Sequence, residues 1–346
     1  MSGIGVGVVA RRRTLMSVAV MVVSQLFVTV VPASAAGISV ERLAGENRFA
    51  TAAAVSRSQY PDGAPVAFIA TGANFADALS ISAPAAGFGP VLLVERDRLP
   101  SETASELRRL GPIAILVVGG PAAVSEATMI DVARYSGRET RRIAGPDRYA
   151  TSAAISREAF QDGAPVAFVT TGDAFQDALS ATPSAAAFDG PLLLTTADVL
   201  PASVEGELRR LGPDRIVVVG SEADVSDAVV ERLGTLAPDV LRIGGPDDAT
   251  TSAAVSRSTF TTSVTAFLAT SASFPDGLTG AAYAGALPAP LMLVGRDVVP
   301  DAVKCELVRL GVENVVVLGG RQAVSDRVVA EVRDGYEGAD IPGCPS

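Results

Sequence analysis

The chain has 346 residues, 48% of them apolar, a net charge of −10, two Cys, and neither His nor Trp. Without His, the Ser-His-Asp and Cys-His arrangements and the His-ligated zinc sites are excluded. The acidic balance argues against nucleic acid as a partner, which needs clustered Lys and Arg, and 5% aromatic content suits stacking on sugars poorly.

The chain opens on Arg11-Arg12-Arg13, an apolar run from Leu15 to Val31, and Pro32-Ala33-Ser34-Ala35-Ala36. Basic, apolar, then small-x-small is the order of a secretory signal peptide, here residues 1–35 with cleavage near Ala35. A retained anchor is the alternative, because the run approaches the roughly 17–20 residues that span a bilayer. Cleavage removes three arginines and no acid, moving the net charge from −10 to −13. No later segment is apolar and long enough to span, so no stable membrane span is expected after cleavage.

Arg42-Leu43-Ala44-Gly45-Glu46-Asn47-Arg48-Phe49-Ala50-Thr51 then begins a block that returns at Arg142 and Arg242, a period of 100 residues. Three copies at one spacing mean one building block used three times. The block has the size of a small domain able to bury a core. The predicted boundaries are 38–137, 138–238 and 239–338, with a tail at 339–346. Arg138-Glu139-Thr140 and Leu236-Ala237-Pro238 are joins too short to let the repeats hang apart.

Each repeat starts with a short strand ending at Gly45, Gly145 or Gly245. Asn47, Asp147 and Asp247 are placed to cap the Ala-rich helix that follows. Val66 to Ala70, Val166 to Thr170 and Thr265 to Ala269 are too short for helices and read as strands buried on both faces. Asp77, Asp177 and Asp276 open a small-residue helix after them. A third strand, Pro90 to Val94 in the first copy, precedes a helix with Pro100 just inside its start and Gly111 just past its end. The fourth strand ends at Gly119, Gly220 and Gly319, and Ser125, Ser226 and Ser325 sit where the last helix needs a cap. Alternating buried strands and amphipathic helices predict an α/β fold, each repeat a βαβαβαβα unit of the doubly wound kind with a parallel sheet.

The R-[LI]-[AG]-G opening, the D-A-L-S step, the P-[VL]-L-[LM] strand and the V-V-G-G strand end resemble those of the cell wall-binding repeat type 2 family. The resemblance covers nearly the whole chain after residue 35. It implies Toprim-like units packed as a pseudo-threefold trimer. It also implies an exported, non-catalytic protein at the cell wall or surface, attached non-covalently to anionic wall polymers. In the family such modules are often joined to an effector, which points to the alternative of a regulatory partner for a wall hydrolase such as an amidase. A small-molecule-binding or enzymatic α/β protein is a third reading.

Candidate chemistry is sparse. Gly119-Gly120 before a helix invites an anion-loop reading, but it is neither GxxxxGK[ST] nor GxGxxG, and a tight turn accounts for it. Asp77, Asp177 and Asp276 are metal or catalytic carboxylates on one reading and first-turn helix acids on the other. No strand end offers the Glu and D-x-D set of Toprim magnesium chemistry, so no metal, cofactor or catalytic residue is assigned. Arg48 and Arg148, with Thr51 and Thr151, stand near the carboxyl ends of strands, where such sheets receive ligands. A guanidinium there can grip phosphate or carboxylate; a salt bridge to an acid such as Asp77 or Asp177 is the alternative. Repeat three carries Asp248 instead. Arg42, Arg142 and Arg242, inside the strand entry, are read as packing or salt-bridge residues. Cys305 and Cys344 can pair in an exported chain, closing a loop of about 40 residues; two free thiols are the other possibility.

Overall fold

A computed structural model describes residues 37–336 together with Ile341 and Cys344. The signal-peptide expectation for 1–35 lies outside the described residues. The first repeat runs β1 (Ser39–Leu43), α1 (Arg48–Gln59), β2 (Val66–Thr71), α2 (Ala76–Ala85), β3 (Val91–Val94), α3 (Ser101–Leu110), β4 (Ala114–Val118) and α4 (Glu126–Ala133). The second has β5 (Glu139–Ile143), α5 (Arg148–Ala159), β6 (Val166–Thr171), α6 (Gln176–Ala187), β7 (Leu192–Thr195), α7 (Ala202–Leu211), β8 (Arg215–Val219) and α8 (Asp227–Leu233). The third has β9 (Asp239–Ile243), α9 (Asp248–Thr259), β10 (Thr265–Thr270), α10 (Phe274–Ala286), β11 (Leu291–Val294), α11 (Asp301–Leu310), β12 (Asn314–Leu318) and α12 (Asp326–Asp334). The α/β alternation and the all-parallel pairing agree with the sequence reading.

One strand of each sheet comes from a different repeat than chain order suggests. The three sheets are ordered β3-β2-β4-β5, β7-β6-β8-β9 and β1-β12-β10-β11. Each repeat therefore gives its opening strand to the sheet of the repeat before it, and β1 closes the circle by pairing with β12. Leu43 lies beside Leu318 in that pairing, as Ile143 lies beside Val118 and Ile243 beside Val219. The reading of each repeat as a βαβαβαβα unit holds for the order of its elements, while its sheet is completed by the opening strand of the next repeat. The last helix of each repeat, α4 or α8, serves as the crossover that brings the next repeat's first strand in parallel onto the free edge of β4 or β8.

Both faces of every sheet are covered, which explains the unbroken apolar strands. Along β6 and β8, Phe168, Val217 and Val219 point to a central core, while Ala167, Val169, Ile216 and Val218 point to an outer core under α7 and α8. The central core draws on all three repeats: Leu79, Leu179 and Leu278 are fully buried in it. Helices α2, α6 and α10 pack on one another, and α5, α9 and α1 each pack against the one belonging to the preceding repeat. The result is a closed ring with a pseudo-threefold axis. Small residues permit the close approach: a Cβ on Gly285 of α10 would lie 2.8 Å from Ala186 and 3.2 Å from Ala86. Cys305 of α11 is joined to Cys344, with Cα atoms 5.4 Å apart, and Ile341 packs on the outer core of the third repeat.

Candidate functional site

The carboxyl ends of the strands converge at the three seams between repeats. At each seam a capped helix start faces the strand ends. Asn47 accepts from the amides of Phe49 and Ala50, Asp147 from Ala150 and Asp247 from Thr250. The cap fixes position 48, 148 or 248 as the first helical residue. Gly45, Gly145 and Gly245 let the incoming strand turn tightly against that helix. A Cβ at these glycines would lie 2.7, 2.6 and 2.9 Å from the amide nitrogens of Thr51, Thr151 and Thr251.

Arg48 donates to the carbonyl of Gly72 and Arg148 to that of Gly172, each within its own repeat. Their charges face the preceding repeat: Arg148 acts on Asp77, and Arg48 on Asp276. Arg148 also lies 3.7 Å from Asp173, and a third of its side chain remains exposed. Thr51 and Thr151 are only 2% exposed. Each accepts from the amide of Gly45 or Gly145, at 3.1 and 3.0 Å, and hydrogen-bonds Asp276 or Asp77. These threonines hold the aspartates and have almost no surface of their own. The aspartates in turn lie over Gly119 and Gly319, both at φ +97°, where a side chain would collide with the carboxylate. Burial raises the Asp77 and Asp276 carboxyls, and the threonine and arginine of the next repeat counter it.

The first-turn position expected for Asp77, Asp177 and Asp276 is observed, but the side chains bridge repeats. Asp77 is the acid that meets Arg148; the partner of Arg48 is Asp276 of the third repeat, which precedes the first around the ring. Asp177 meets no arginine, because position 248 is Asp. Arg42, Arg142 and Arg242 reach back to the strand ends of the preceding sheet. Arg42 donates to the carbonyls of Gly319 and Val324 and pairs with Asp326 at 3.3 Å; Arg142 and Arg242 do the same for Gly119 with Glu126 and for Val225 with Asp227. Ser125 caps its helix, whereas Ser226 and Ser325 make no side-chain cap bond.

Two features of the site escaped the sequence reading. Phe75, Phe175 and Phe274 meet on the axis with ring centroids 5.9, 5.8 and 5.9 Å apart. Arg48 lies 6.0 Å from the ring of Phe274 and Arg148 5.8 Å from that of Phe75, within cation–π range. The signal was available: a Phe stands two residues before each of the three aspartates. Behind the seams, Glu106, Glu207 and Glu306 are at most 1% exposed. Each accepts a 2.6 Å bond from Ser56, Ser156 or Ser256 and a forked pair from Arg109, Arg210 or Arg309. Among the described residues no group of three His, Cys, Asp or Glu is arranged to hold a metal, and no helix is long and apolar enough to cross a membrane.

Residues 42–129, 142–230 and 242–329 each match the model of the Cell wall binding domain 2 (CWB2) family. The chain belongs to this family. Three tandem CWB2 copies make it a cell-wall-binding protein. It is 28% identical over 90% of its length to the N-acetylmuramoyl-L-alanine amidase LytC of Bacillus subtilis, covering 61% of that protein. It is 30% identical over 76% of its length to the amidase enhancer of the same organism, covering 36% of it. This chain thus spans only part of the curated relatives it matches. Among solved structures, Cwp6 from Clostridium difficile superposes with a TM-score of 0.81 at 24% identity, over 86% of this chain and 48% of that one, and shares the fold. The CWB2 matches begin at Arg42, Arg142 and Arg242, inside the strands that cross from one repeat to the next.

Proposed function

We propose that this CWB2 chain acts outside the cell as a non-catalytic anchor, held non-covalently by anionic polymers of the wall. The observation that carries the reading is the set of three tandem family matches closed into one ring. Arg48 and Arg148 are the polymer contacts in this reading. Both stand beside the phenylalanine trio on a protein of net charge −10, so attraction must come from local cations. Thr51 and Thr151 contribute by placing the aspartates that orient the arginines. Two such contacts on one rigid body add avidity of roughly 10²–10⁴ on a repeating polymer. A chain without His lacks the Ser-His-Asp and Cys-His arrangements and the His-ligated zinc sites, which favours binding over turnover.

The test is retention on purified walls before and after removal of their anionic polymers. Parent protein should be retained only on intact walls. Arg48→Lys with Arg148→Lys keeps a cation opposite each aspartate but loses the planar fork, so retention should fall while the melting temperature stays near the parent's. If an Arg48→Ala, Arg148→Ala protein is retained as well as the parent, the polymer contacts lie elsewhere. Equal retention on stripped walls would remove anionic polymer as the ligand. The similarity to an amidase and to an amidase enhancer favours a second reading, action beside a wall hydrolase. In that case the purified chain should change the rate of an amidase on walls, and should change nothing on soluble fragments that carry no anchor polymer.

A further inference from the structure

The three seams are built on one plan, and the one between repeats two and three departs from it at several positions. Where the other seams have Arg48 and Arg148, it has Asp248. Where they have Ala123 and Ala323, the loop after β8 has Asp224. Gln176 stands where the other repeats have Ala76 and Pro275, and it donates at 3.3 Å to the Ser271 carbonyl. That carbonyl is the counterpart of those of Gly72 and Gly172, which accept from the arginines. Gln176 thus restores the hydrogen bond that the arginine would have made, and leaves its charge unreplaced.

Of the three seam aspartates, Asp177 alone has neither a donor nor a cation facing it among the described residues. Only 7% of it is exposed, and a Cβ on Gly220 would lie 2.6 Å from its Oδ2. Among the described residues no donor hydrogen-bonds its carboxylate, in contrast to Asp77 with Thr151 and Asp276 with Thr51. The charges facing it are acids. Asp224, held at 2.9 Å by the Ser221 amide, and Asp248 on α9 both oppose its ionisation. Other charges on the elements packed around α6 are engaged elsewhere. Asp247 caps α9, Arg257 pairs with Glu306, Arg242 binds the carbonyls of Ser221 and Val225, and Arg215 pairs with Asp239. Asp77 and Asp276 belong to the other two seams.

We propose that the seam between repeats two and three is a proton-linked joint of the ring: it closes when Asp177 carries a proton and loosens when Asp177 ionises. Burial first, then Asp224 and Asp248, lift the Asp177 carboxyl to about 7, and Asp248 is raised as well. In the unfolded chain Asp titrates near ~4. Between those values the unfolded chain loses its proton first, so this seam contributes less stability as pH rises from about 4 to about 7. In the two arginine seams burial raises Asp77 and Asp276 as well, but a threonine and an arginine counter it, so their response has the same sign and is smaller. Of the three joints, this one opens first at neutral and alkaline pH.

The test compares melting of the parent with that of Asp177→Asn, which holds the neutral form at every pH. Near pH ~3 the two should melt alike; near pH ~8 the variant should melt several degrees higher, the difference growing from about pH 4 and levelling off above about pH 7. Asp77→Asn should show a smaller change against the parent between the same two pH values, because Thr151 and Arg148 counter the burial of Asp77. Carbon-13 NMR of the aspartate carboxyls in the folded parent should show Asp177 titrating well above the ordinary range, and the protection of α9 amides relative to their intrinsic exchange rate at each pH should fall over the same interval. A parent–variant difference that does not change with pH, or an Asp177 titrating near ~4, would overturn the proposal. So would a rise in the parent's melting temperature on adding calcium at pH ~8 that Asp177→Asn abolishes, since that would make the seam a metal site.

Discussion

Glu207 shows how much a buried charge depends on its neighbours. It is fully buried and accepts from Ser156 and from both Nε and Nη2 of Arg210, which also donates to the Phe160 carbonyl. Desolvating a carboxylate is tolerable only because every donor is in place. Arg210→Ala should therefore cost about 3 kcal/mol in denaturant unfolding, since buried Glu207 would keep only the Ser156 hydroxyl and the longer, 3.6 Å pair with Arg157. Adding Glu207→Gln to that variant should recover part of the loss. If Arg210→Ala unfolds like the parent, the network carries no stability. An exposed pair such as Arg96 with Asp97 should matter far less, within about 1 kcal/mol. Ser56, Arg57, Glu106 and Arg109 all stood in the repeated motifs, yet their meeting was not legible. The residues lie about 50 positions apart, and a repeat pattern says which residues are equivalent, never which of them touch.

At the scale of elements, the order and type of strands and helices were legible because apolar runs and caps repeat with the same punctuation three times. The destination of β1, β5 and β9 was not. A threefold repeat that closes on itself has the same sequence whether each opening strand pairs within its repeat or in the one before. The same ambiguity hid the site: Arg48 was placed at the right end of the sheet, but its partner Asp276 becomes apparent only once β1 is known to join β12. The exchange has a direct consequence for fragments. Residues 38–137 contain β2, β3 and β4 but lack β5, the strand that covers the β4 edge. Residues 44–143 hold a complete four-stranded sheet. The second fragment should show more slowly exchanging amides in β4 than the first, though both expose the central core. Equal protection of β4 in the two would mean that the edge pairing adds nothing to the unit.

For the whole molecule, the central core makes the three repeats depend on one another. Phe68, Phe168 and Phe267 belong to one continuous cluster with Leu79, Leu179 and Leu278, so no repeat can unfold without exposing apolar surface of the other two. That coupling determines what the Cys305–Cys344 bond does. It closes a loop across 39 positions, and the chain-entropy model gives such a closure about 4 kcal/mol. In a chain of independent domains, reduction would weaken the third repeat alone and split the melting curve. In the closed ring, α9 packs on α6 and β1 completes the third sheet, so loss of the third repeat removes support from the first and second. Reduction should therefore lower one transition, by about 6 °C if the full entropic value is realised, and leave it single. Calorimetry with and without reductant checks this, with Cys305→Ser, Cys344→Ser as the variant that needs no reductant. A new early transition, while probes in the first two repeats melt at the original temperature, would show that the ring is three domains held side by side.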